Sequence, residues 1–93
     1  MAYVACDLAE GLRPSEVTVS IKDLQGNSEF LRVERDFLAE FQGRIYLPIG
    51  VIYREGKQVL IELPHEADSG TNRLWVDEAT IFEPEPKRRR AYA

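Results

Sequence analysis

The stretch from Arg44 to Leu63 constrains the fold more than any other part of the chain. It reads Arg-Ile-Tyr-Leu-Pro-Ile-Gly-Val-Ile-Tyr, then Arg-Glu-Gly-Lys, then Gln-Val-Leu-Ile-Glu-Leu. β-Branched and aromatic side chains fit a pleated, half-buried surface, so both apolar runs read as strands. The polar connection holds Gly56, which can take the positive φ of a tight hairpin turn. In the first run Ile45, Leu47, Ile49, Val51 and Tyr53 share one parity, and Pro48 and Gly50 take the other. Proline donates nothing to a ladder, so the strand is expected to be an edge at Pro48 or to be broken there by a bulge. A long strand that bends in its middle suits a small barrel, where it serves two sheets. In the second run Val59, Ile61 and Leu63 form the inward face, and Pro64 stops the strand.

The same alternation recurs on both sides of this hairpin. Val17, Val19 and Ile21 alternate with Thr18, Ser20 and Lys22, apolar on one face and polar on the other. Asp23-Leu24-Gln25-Gly26-Asn27 reads as a turn, and the next strand is Ser28 to Glu34, with Leu31 and Val33 on one face. The loop is short, so these two strands pair antiparallel. Phe37, Leu38 and Phe41 have helical spacing, and Gly43 is placed to end a short helix. A bulged strand continuation is the alternative for residues 35–42, and in both cases Phe37 and Phe41 are expected to plug one end of the core. After the turn signal Asp68-Ser69-Gly70, Leu74 and Val76 mark a fifth strand, with Ile81 and Phe82 as a last short strand or a cap. Val4, Leu8 and Leu12 recur at four-residue steps, which allows a helical turn near the N-terminus. Gly11 and Pro14 limit that turn, so the folded core is expected to begin after Pro14.

These elements predict a mainly β chain: a small five-stranded antiparallel SH3-like barrel or strongly bent sheet, with one short helical turn. A five-stranded oligonucleotide-binding barrel ranks second, because its helix usually precedes the fourth strand. The expected organisation is an N-terminal extension over 1–15, a β-domain over 16–83 and a proline-rich, basic, disordered tail over 84–93. A chain of 93 residues, 44% hydrophobic and 30% charged, fits one small globular domain and is too apolar to be disordered throughout. No apolar run approaches the roughly 18–20 residues of a membrane-spanning helix. Asp7 and Glu10 precede the first basic residue, the reverse of a secretory leader, and the single thiol of Cys6 forms no internal disulfide. A cytoplasmic location is expected.

His65, Glu66, Asp68 and Ser69 carry metal-binding and nucleophilic groups, but all sit in one polar turn. Structural zinc takes four ligands, and triad members come from distant segments, so a solvated loop is the better reading. The loop Asp68 to Arg73 could hold an anion through its amides and hydroxyls, yet it lacks the lysine and second glycine of a phosphate-binding loop. Cys6 sits among apolar neighbours with no His or Lys beside it and reads as a packing residue. No metal and no cofactor is expected.

Strand parity turns Phe30, Tyr46 and Trp75 away from the apolar faces of their strands. If those strands are neighbours, the three rings form an exposed aromatic patch able to dock a protein segment. The plainer reading is a second face covered by the N-terminal segment. Lys87, Arg88, Arg89 and Arg90 form a basic run; without them 8 basic residues face 16 acidic ones, so the body carries −8 and the run +4. The expected function is a noncatalytic β-domain that binds a protein through the aromatic patch. The alternative is a nucleic-acid-associated accessory role for the basic tail, with weak, salt-sensitive phosphate contacts. No membrane partner is expected, and an edge strand near Pro48 would allow a homodimer.

Overall fold

Alternation sets the layout of the chain. In the computed structural model, which describes residues 2–10 and 14–84, each predicted period-two run is a strand with one buried face. The strands are β1 (Ala2–Ala5), β2 (Asp7–Glu10), β3 (Glu16–Lys22), β4 (Ser28–Glu34), β5 (Ala39–Phe41), β6 (Arg44–Glu55), β7 (Gln58–Glu62), β8 (Arg73–Asp77) and β9 (Ile81–Phe82). One sheet has the order β8-β7-β6-β1-β9, with β5 on the edge of β6, and a second has the order β2-β3-β4. Every ladder is antiparallel. The protein is therefore mainly β, as its alternation predicts.

The strands do not close into a barrel. The first two strands turn the corner between the sheets: β1 pairs with β6 and β9, Cys6 follows, and β2 pairs with β3. A continuous stretch that bends from one sheet into the next is how two sheets share a core without a gap. On the other side, β4 and β8 share no ladder. Isolated bonds from neighbouring loops span that side instead: the Leu24 N–H of the β3–β4 turn donates to the Trp75 carbonyl of β8 (3.0 Å), and the Asp68 N–H of the loop after β7 donates to the Phe30 carbonyl of β4 (2.7 Å).

The core lies between the sheets. It is built from Ala2, Val4 and Cys6, from Val17, Val19 and Ile21, from Leu31 and Val33, and from Leu47 and Ile49. Val59, Ile61, Leu63, Leu74 and Val76 complete it, with Ala67 from the loop after β7. No buried polar side chain interrupts it among the described residues. Burial of this aliphatic surface is the main force holding the sheets together.

Three expectations are corrected. The N-terminal segment is neither a helical turn nor outside the core: Val4 is fully buried, opposite Leu47 of β6 and Ile81 of β9. Its real period is two, through the small residues Ala2, Val4 and Cys6. Residues 35–42 form no α-helix. A 3-10 turn at Arg35–Phe37 leads into β5, and Gln42 and Gly43, at φ 52° and 80°, make the turn into β6. Two successive positive φ values are the signature of a type I′ hairpin turn. Phe37 consequently points to solvent, 44% exposed, rather than plugging the core.

The predicted central hairpin is present. Glu55 pairs with Gln58, and Gly56 (φ 60°) holds the first turn position, as type II′ requires. Pro48 is accommodated by a change of partners. The β5 ladder ends at Tyr46 and the β7 ladder begins at Gly50, so that edge of β6 is unpaired at Pro48. The Cys6 N–H donates to the Ile45 carbonyl (3.2 Å), so odd-numbered residues of β6 bond toward β1. The nitrogen of Pro48 faces the unpaired edge. A bulge lies farther on, where the register slips between Val51 and Tyr53.

Candidate functional site

The bulge decides what stands on the outer face. Before it, Leu47 and Ile49 point inward and Val51 lies opposite the inward Ile61. The extra residue, Ile52, shifts the parity, and Tyr53 lies opposite Leu60, which faces outward. Leu60 in turn lies opposite Trp75 of β8. Tyr53, Leu60 and Trp75 therefore form one row across three strands. The Tyr53 and Trp75 rings meet edge to face at 6.2 Å, a favourable arrangement for two quadrupoles. Tyr53 is 56% exposed, Ile52 beside it is exposed, and Trp75 is half-buried. The indole is neither walled into the core nor fully in water.

The rings predicted to form one patch are not brought together. Phe30 is exposed on β4 in the three-stranded sheet, with no ring contact to Tyr46 or Trp75 among the described residues. Tyr46 belongs to a cluster with Tyr3, Phe41 and Phe82, whose centroids lie 4.6 to 6.5 Å apart. Cross-strand pairing places all four on the outer face, Tyr46 opposite Ala39 and Tyr3 opposite Phe82. Each covers the next, so they make a small satellite core rather than a free surface. Of the three predicted rings, Trp75 stands beside an open surface cleft. Lys87, Arg88, Arg89 and Arg90 lie outside the described residues.

That cleft runs between the β3–β4 turn and the edge of β8 and has a volume of about 620 Å³. Trp75, Leu24, Asp23, Glu29 and Glu55 line it, with Arg73 as the one cation among the described residues. Asp23 Oδ1 accepts from the Gln25 and Asn27 amides, both at 2.9 Å, which fixes the turn. Glu29 Oε1 accepts from Ser69 Oγ at 2.7 Å. Arg73 lies 4.0 Å from Glu62, its cross-strand neighbour. Sequence reasoning missed Tyr53, because alternation continued unbroken through Tyr53 and nothing marked Ile52 as an extra residue. It also missed Glu29 and Glu55, which only the tertiary fold brings beside the indole.

The polar turn after β7 uses its groups on the backbone. His65 Nε2 lies 2.9 Å from the Arg32 carbonyl and Nδ1 lies 3.0 Å from the Glu66 carbonyl. Ser69 donates to Glu29, not to His65, so the pair makes no nucleophile and base. The Ala67, Asp68, Gly70 and Thr71 amides all donate to groups of the protein, which leaves few donors for an anion. No group of three or more His, Cys, Asp or Glu among the described residues is placed to hold a metal ion. Burial pushes the Cys6 thiol from 9.0 up to about 11; Asp7 adds to the rise and Arg44 opposes it. Cys6 is thus a protonated packing residue at neutral pH.

No helix among the described residues is long and apolar enough to cross a membrane. Comparison with protein-family models, curated proteins and solved structures finds no match to the chain.

Proposed function

We propose that this chain is a small noncatalytic binding domain that docks a protein partner on the outer face of its six-stranded sheet, around Trp75 and Tyr53. One observation carries the reading. The buried core holds no aromatic ring, and of the rings on the outer face Tyr3, Phe41, Tyr46 and Phe82 cover one another, whereas Tyr53 and Trp75 stand outside that cluster. Aromatic rings are the richest source of interface energy, and folding here leaves Tyr53 and Trp75 outside both cores. A noncatalytic role is supported by the polar turn, where His65 lies against the Arg32 and Glu66 carbonyls and Ser69 donates to Glu29 of β4. In this reading the architecture is an open, bent counterpart of the SH3-like barrel, acting in the cytoplasm. The second reading gives Lys87 to Arg90 a nucleic-acid role and rests on the +4 charge of that run.

The test is capture of a partner by the intact chain and by Trp75→Ala. Most of the Trp75 surface is buried and only its outer part meets water, so truncation costs roughly 3 kcal/mol. The variant keeps a cooperative unfolding transition and loses the partner. Capture equal to wild type by a folded Trp75→Ala chain would refute the proposal. Retention that instead disappears on replacing Lys87 to Arg90 with glutamine would support the second reading.

A further inference from the structure

We infer that the cleft beside Trp75 takes an arginine- or lysine-rich segment of the partner protein, with a cationic side chain lying against the indole. The inference rests on the binding reading above and adds the chemistry of the partner. The cleft offers one indole and three carboxylates, Asp23, Glu29 and Glu55, against one guanidinium among the described residues. Arg73, the guanidinium, leans toward Glu62 and not toward these three. Glu55 makes no ion pair among the described residues. Its row on the sheet continues through Gln58 to Asp77, a further carboxylate on the same outer face.

Charge complementarity selects the occupant. An acidic segment would meet like charge in the cleft, and an uncharged apolar segment would leave these carboxylates, Glu55 above all, to be desolvated without a cation. A guanidinium or ammonium meets both needs: it stacks on the ring face and pairs with a carboxylate. The long-range field has the same sign, since the chain without residues 87–90 carries −8 and so steers cations toward itself. Tyr53, Leu60 and Ile52 extend the apolar surface beside the cleft and would cover the aliphatic stems of long basic side chains.

The chain has a single tryptophan, so its fluorescence reports on this cleft alone. The probe is a synthetic peptide with four consecutive arginines, with a serine-substituted and a glutamate-substituted peptide as controls. It is titrated into the full chain and into a full chain with Lys87, Arg88, Arg89 and Arg90 replaced by glutamine, which removes internal competition. The arginine peptide gives a saturable change in Trp75 emission in the glutamine-substituted chain, and the controls give none. Glu55→Gln and Glu29→Gln each weaken binding roughly two- to fivefold, as expected for one exposed pair, and rising salt weakens it further. No saturable change in either chain, or equal binding by the two glutamine variants and their parent, would overturn the inference. If that happens while Trp75→Ala still loses the partner, the binding proposal stands with a partner of other chemistry.

Discussion

Val4→Ala tests whether the first strand is part of the core. Val4 is fully buried, with β6 on one side and β9 on the other, and Leu47 and Ile81 are its direct cross-strand partners. The substitution removes two methyl groups. At about 0.8 kcal/mol per buried carbon, the lost transfer energy is roughly 1.6 kcal/mol. Cross-strand neighbours on both sides restrict collapse, so a cavity contribution raises the total to roughly 2–3 kcal/mol. A domain of this size has about 5–14 kcal/mol of stability in all. The melting temperature should therefore fall by roughly 10–20 °C. The assay is urea denaturation followed by far-ultraviolet circular dichroism, with Leu8→Ala as control. Leu8 is 43% exposed on β2, and its truncation should cost less than about 1 kcal/mol. A Val4→Ala chain within about 0.5 kcal/mol of wild type would refute the placement of β1 in the core.

Two further outcomes follow from the backbone and the buried thiol. Gly56→Ala puts a Cβ on a residue at φ 60° with open space around it, so the cost is conformational alone, about 1–2 kcal/mol by urea denaturation. Equal stability would mean that the turn does not need its positive φ. Cys6 gives a pH signature. Its thiol titrates at 9.0 in the unfolded chain and at about 11 when buried, so the unfolded chain loses its proton first. The stabilising effect is complete below pH 9.0 and is lost as pH rises toward about 11. Denaturation of wild type and Cys6→Ala across that window should show a steeper fall for wild type, and parallel curves would contradict the burial of the thiol.

How much of this was legible in the sequence depends on what each segment had to offer. Val17 to Ile21, Leu31 and Val33, Val59 to Leu63, and Leu74 and Val76 show large apolar residues at strict alternation, and all are buried as that pattern requires. The first strand hides its alternation. Two of its inward positions, Ala2 and Cys6, are small, and the four-residue steps of Val4, Leu8 and Leu12 imitate a helix. Residues 35–41 mislead in the same way. Phe37 and Phe41 have helical spacing, but Gln42 adopts a left-handed conformation that sequence rarely signals outside Asn and Gly.

The site was legible only in part. Parity placed Trp75 on the outer face, and the fold puts it there. Parity placed Tyr53 inside, and a single extra residue at Ile52 turns it out. Tyr46 also faces outward, but its surroundings depend on β5 and β9, which converge on it from distant parts of the chain. The carboxylates beside Trp75 come from the β3–β4 hairpin and from the end of β6, a juxtaposition that no local pattern contains.

Acrylamide quenching of the lone tryptophan most directly tests the claim that an aliphatic core folds this protein and leaves its rings for a partner. Native emission should be quenched to an intermediate extent, clearly below that of the urea-unfolded chain and clearly above zero, and addition of the arginine peptide should reduce it. A strongly blue-shifted native spectrum that acrylamide leaves untouched would place the indole inside the core and contradict the account.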